Sequence, residues 1–104
     1  MSDLPHDWRT PAVLDLLATI ARLSDEDEAE RFFRDLCTLA ELEAMAHRWE
    51  VAKLLDEGLT YLDVAQRAHA STATVTRVAQ WLRRGEGGYR LALERTAPAS
   101  VQTA

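Results

Sequence analysis

Thr72, Ala73, Thr76 and Gln80 carry hydroxyl, methyl and amide groups at intervals of one, three and four residues. On a helix this spacing gathers them on one outward face. Such groups can read base edges in a major groove, because hydroxyls and amides hydrogen-bond there and an alanine or threonine methyl can meet the thymine methyl. Arg67, a little earlier in the chain, offers a cation for a phosphate. Bond-breaking chemistry is not visible: there is no Ser-His-Asp order, glycine-rich phosphate loop or carboxylate pair at a strand end, so an enzyme is not expected. His6, His47 and His69 are not at metal-ligand spacing, and no cysteine or acid completes a set with them. Each is expected to be structural or solvated, and no metal is expected. Cys37 is the single cysteine; it cannot form an internal disulfide and is expected to be a small buried hydrophobe.

A helix-turn-helix spanning 60–84 would position these groups. Val64, Ala65 and Ala68 give its first helix a small apolar face, His69 and Ala70 make the turn, and Ser71 caps a second helix whose Val75, Val78 and Leu82 point inward. His69 stands where such turns often carry glycine, and histidine enters the positive-φ region more readily than most side chains.

The rest of the chain reads as further helices, about six in all with no strand, giving an all-α fold class. Pro11 suits a first helical position, and Leu14, Leu16, Leu17, Ile20 and Leu23 make an apolar stripe after it. Ser24 is the expected cap of the next helix. The following Asp25, Glu26, Asp27 and Glu28 suit the positive end of a helix dipole rather than a metal, and Phe32, Phe33 and Leu36 are candidate core residues. Thr38 with Glu41 forms a capping box for the longest helix, which runs through Leu42, Met45, Trp49, Ala52 and Leu55 until Gly58 stops it. Thr60 with Asp63 repeats the box. Gly85, Gly87 and Gly88 close the second helix of the head, and Tyr89 to Arg95 can form a last one. The domain organisation expected is a flexible arm at 1–10, a helical domain at 11–96 and a disordered tail at 97–104.

With 104 residues, 47% of them apolar, the chain can hold one domain whose modest core would gain from a second subunit. Three apolar-striped helices before the head exceed what one small head needs and could form a dimer interface, the alternative being that they close a monomeric bundle. The net charge is −5, but residues 1–57 hold 6 basic and 14 acidic side chains whereas 58–95 hold 6 and 3. An acidic body joined to a basic head would orient the molecule in the field of a phosphate backbone, with weak non-specific binding. No long apolar run or charged-then-apolar leader is seen, so a membrane is not an expected partner and a cytoplasmic location is expected.

Four stretches carry a family resemblance: Phe32-Phe33-Arg34-Asp35-Leu36-Cys37-Thr38, Glu41-Leu42-Glu43-Ala44-Met45-Ala46-His47-Arg48, Ala70-Ser71-Thr72-Ala73-Thr74-Val75-Thr76-Arg77, and Gly87-Gly88-Tyr89. In this order and spacing the chain, from Pro11 to Arg95, resembles the Trp repressor family and, within it, the YerC/YecD branch. The resemblance implies a homodimer with interlaced N-terminal helices, whose two heads enter successive major grooves of a palindromic double-stranded DNA operator. It implies base contacts from Thr72, Ala73 and Thr76, and phosphate contacts around Thr60 and Tyr61. Two basic phosphate-binding positions of the Trp repressor are Leu62 and Ala65 here. Ser71 and Gln80 complete the expected DNA-binding set, with Arg67 added from its charge.

The resemblance also implies an effector pocket. The arginines that sandwich bound tryptophan in the Trp repressor match Arg48 and Arg77, and a pocket threonine matches Thr38. A small serine and glycine of that pocket, however, match Trp81 and Val78. An indole side chain would occupy about the volume of the ligand, which a packed interior does not accommodate twice. Free tryptophan is therefore not expected as corepressor, and no cofactor is expected. Either Trp81 fills the site as a built-in plug, which needs no further molecule, or the remaining space takes a smaller anion through Arg48 and Arg77. The competing function is a helical protein-interaction module of the same fold that has lost operator binding, motivated by Leu62, Ala65 and the acidic total.

Overall fold

The computed structural model describes residues 8–97, and the rest of the expected arm and tail lies outside the described residues. Six helices follow one another: α1 (Pro11–Ala21), α2 (Glu26–Leu36), α3 (Leu39–Asp56), α4 (Tyr61–Ala68), α5 (Thr72–Arg84) and α6 (Gly88–Arg95). Among the described residues there is no strand, and no helix is long and apolar enough to cross a membrane. The chain divides into two compact units, with the boundary inside α3 between Leu42 and Glu43.

In the first unit local capping chemistry sets every helix start. The Thr10 hydroxyl accepts from the Val13 N–H at 3.2 Å, and Pro11, which has no N–H to satisfy, takes the first turn of α1. α1 ends at Ala21, two residues short of Leu23, where the Leu23 N–H turns back to the Ile20 carbonyl at 3.1 Å. Asp25 is the cap of α2, not Ser24: its carboxylate accepts from the Glu28 N–H at 2.9 Å. The Glu28 carboxylate in turn accepts from the Ser24 N–H at 2.8 Å. The three-residue spacing from Asp25 to Glu28 decides this, since a side chain reaches the third N–H of its helix. Thr38 and Glu41 form the full reciprocal box, at 3.1 and 2.8 Å.

Neither α1 nor α2 buries a residue. Leu14, Leu17 and Leu36 are 47, 45 and 49% exposed. Phe32 and Phe33 meet edge to face at 5.6 Å and stay half-buried, so neither they nor Leu36 are core residues in the single chain. Cys37 is half-buried too, not buried as expected. It sits at the open end of α2, where its N–H donates to the Phe33 carbonyl at 2.9 Å.

The second unit closes a core of its own from Val51, Ala52, Val64, Ala65, Ala68, Val75 and Val78, flanked by Trp49, Leu54, Leu55, Leu59, Ala70 and Tyr89. Small and β-branched side chains let short helices approach closely. Val51, fully buried, is a core residue that the stripe traced from Leu42 to Leu55 passes by. α6 is fastened to α3 by the Trp49 and Tyr89 rings, stacked at 6.3 Å and 9° apart in plane, and by the Arg90–Asp56 ion pair at 3.0 Å. Gly58 and Gly87, at φ +91 and +87, make the bends that end α3 and open α6.

Candidate nucleic-acid interface

α4 and α5 are joined by three residues, His69, Ala70 and Ser71. His69 adopts the left-handed conformation at φ 55, ψ 45. Its N–H donates to the Gln66 carbonyl at 3.4 Å and the Ala70 N–H to the Ala65 carbonyl at 2.9 Å, which is the paired C-terminal closure of a helix that usually uses glycine. The Ala68 carbonyl, left over at this end, faces His47 Nε2 at 2.9 Å. A carbonyl can only accept, so that nitrogen carries the proton and His47 fastens the turn to α3. The sequence marks His47 as structural or solvated; its partner, 21 residues on, has no local signature.

The Ser71 hydroxyl opens α5 by accepting from the Thr74 N–H at 3.1 Å and donates to the Thr74 hydroxyl at 3.0 Å. It is engaged as a cap. Thr60 opens α4 in the same way, accepting from the Asp63 N–H at 3.1 Å. Val75, Val78, Ala79 and Leu82 anchor α5 in the core. With that face fixed and 100° between successive residues, the exposed side chains fall in three rows. Ala73, Gln80 and Arg84 point straight away from the core. Thr72, Thr76 and Arg83 line one flank, and Arg77, Trp81 and the half-buried Thr74 line the other. Thr72, Ala73, Thr76 and Gln80 are all exposed on α5.

Arg67 is exposed near the end of α4, and Tyr61 begins the same helix with its ring 39% exposed. The Tyr61 hydroxyl accepts from Arg83 Nη1 at 2.9 Å, so the start of α4 is bound to the last turn of α5. Arg83 is a residue that the sequence reading does not single out. The Arg83-Arg84 doublet is its visible signal, but Tyr61 lies 22 residues away.

The expected effector residues are distributed as follows. Thr38 is exposed and its hydroxyl is engaged as the α3 cap. Arg48 is exposed on α3. Arg77 and Trp81 share the second flank of α5, one turn apart. The Trp81 indole is 59% exposed and, with Gln80 and Arg84, lines a shallow recess of about 230 Å³. Val78 is buried at 1% exposure. Gly85 follows closely: a β-carbon there would stand 2.5 Å from the Trp81 carbonyl oxygen.

Comparison with known proteins finds relatives along most of the chain. The Trp repressor protein family matches residues 12–97. The uncharacterized protein YerC of Bacillus subtilis (strain 168) is 41% identical over 88 residues, which cover 85% of each chain. A TrpR-like protein from Eubacterium eligens ATCC 27750 has a solved structure that superposes with a TM-score of 0.79 at 46% identity, covering 86% of this chain and 93% of that one. The structure of a Trp repressor candidate from Staphylococcus aureus superposes equally well, at 0.79 and 37% identity, covering 86% and 90%.

Proposed function

The chain belongs to the Trp repressor family, and from that premise we propose that it is a transcriptional regulator that binds a palindromic operator as a homodimer. Family membership puts it among DNA-binding regulators rather than enzymes. One observation carries the finer reading: α5 is anchored along its inner face while Thr72, Ala73, Thr76 and Gln80 stay exposed, directly after a tight turn. A helix held this way can lie in a major groove with its first residues on base edges. Repression, by occupancy of the operator, is the mode in keeping with the family, and a cytoplasmic location goes with the role.

The homodimer is supported by the apolar side chains left open on the first unit. Leu14, Leu17, Leu36 and Leu39 are between 45 and 57% exposed in a single chain, and a second copy would cover such surface. Two copies also supply two heads, as a palindrome requires.

Independence from free tryptophan is part of the same proposal. Trp81 and Val78 place large side chains where the family pocket is small, and Arg77 lies beside Trp81 on α5. The Trp81 indole is itself 59% exposed in the single chain and lines a recess with Gln80 and Arg84, so it is the bulk of Val78 and Trp81, not a filled pocket, that supports this reading.

Two substitutions separate reading from gripping. Thr76→Ala is expected to relax sequence choice by about 1–3 kcal/mol at one base pair. Arg67→Ala is expected to weaken binding to every sequence and to flatten its salt dependence. Competition binding with single-base operator variants checks both; equal losses on all sequences for both proteins would refute the division. The protein-interaction alternative draws on Leu62 and Trp81, which are 61 and 59% exposed and could anchor a protein partner. A salt slope near zero on duplex DNA would favour it.

A further inference from the structure

We infer that Arg83, steadied by the Tyr61 hydroxyl, is a phosphate clamp that grips one backbone strand of the bound duplex. The inference rests on the DNA-binding reading above and adds a residue to it. Three observations lead there. First, Arg83 lies on the same flank of α5 as Thr72 and Thr76, with Thr76 four and Arg83 eleven residues along from Thr72, so its guanidinium continues the row of hydroxyls beside the outward face. Second, its partner is neutral. Arg31 pairs with Asp27 and Arg90 with Asp56, both at 3.0 Å. Arg83 instead donates to a phenol oxygen at 2.9 Å and, among the described residues, has no carboxylate. The charge is left uncompensated.

Third, the side chain is exposed yet tethered. Guanidinium has five N–H donors in a planar fork, of which Tyr61 engages one edge. The rest of the fork matches the paired oxygens of a phosphodiester, and a group already held in place loses less freedom on binding than a loose one. Tyr61 is thus a positioning residue and Arg83 the contact. An acidic protein surface would also satisfy a guanidinium, but the row shared with the two threonines points to the nucleic-acid backbone.

The test uses the full chain and a fluorescent duplex of about 20 base pairs, with affinity followed by anisotropy across a salt series. Arg83→Gln should weaken binding several-fold on every duplex and reduce the logarithmic salt slope by about 1.8, the share of one phosphate from each subunit of the dimer. Arg83→Lys should restore most of the slope but only part of the affinity. Tyr61→Phe, which keeps the charge and removes the tether, should leave the slope unchanged and weaken binding by a smaller factor. Arg90→Gln, which removes an arginine already paired with Asp56, should leave the slope unchanged. If the native protein binds with a clear slope and Arg83→Gln matches it in slope and affinity, the clamp is refuted while the DNA-binding reading stands. If the native slope is near zero, both fall.

Discussion

The two units of this chain solve the problem of a small core in opposite ways. The second, from Glu43 onward, encloses Val51, Val64 and Val75 completely and holds the turn with His47 and the cap of Ser71. The first has well-capped helices, yet α1 and α2 bury nothing and leave leucines half open. Good local capping makes a helix; it does not supply the surface against which an apolar stripe is buried. Charge divides along the chain in the same sense, with the acidic excess in residues 1–57 and a basic excess in 58–95. In the proposed reading the contrast has a purpose: the first unit is built for association and the second for presentation.

Replacing Leu14 and Leu17 together by Asp should break this contrast most severely. The double variant is expected to sediment as a monomer and to lose several kcal/mol of stability, because each leucine buried by a second copy contributes roughly 1.5–3 kcal/mol. Sedimentation equilibrium with thermal melting checks this, and an unchanged dimer would contradict the assignment. Val64→Ala attacks the second unit from within. About 1.5–3 kcal/mol should be lost in chemical denaturation, with the oligomeric state retained.

Ser71→Ala removes the cap of α5 and should cost about 1 kcal/mol, while Ser71→Gly should cost only a few tenths. The smallest effect is expected at the turn. His69→Gly should be neutral or stabilising by about 0.5 kcal/mol, since glycine enters the left-handed region without strain but gives up more chain entropy. His69→Val should instead destabilise; thermal melting that ranks valine above glycine would show that the turn does not hold its positive φ.

Legibility followed distance along the chain. Pro11, Gly58, the Thr38–Glu41 box and the Thr60 and Ser71 caps act within four residues, and each was readable from its spacing. The left-handed turn at His69 was readable because few side chains suit the bend between two short helices. Ser24 and Asp25 are adjacent potential caps, and only the count of three to Glu28 separates them. Val51 was missed because α3 is apolar on more than one face, so a single stripe does not exhaust its core side. The tethers Tyr61–Arg83, His47–Ala68 and Trp49–Tyr89 join residues 21 to 40 apart. Each pairs groups common on any surface, and only the folded chain brings them together. Of the candidate site, the exposed face of α5 is legible in the sequence and the Arg83–Tyr61 contact is not.

The central claim is that two copies present α5 to a symmetric DNA site. Selection of bound duplexes from a random-sequence pool by the purified protein, with the winners then titrated at two salt concentrations, tests it most directly. A two-fold symmetric motif, its half-sites about one helical turn apart and its affinity falling as salt rises, is the predicted result. No enrichment at low salt would contradict the account and turn attention to a protein partner for the exposed Leu62 and Trp81.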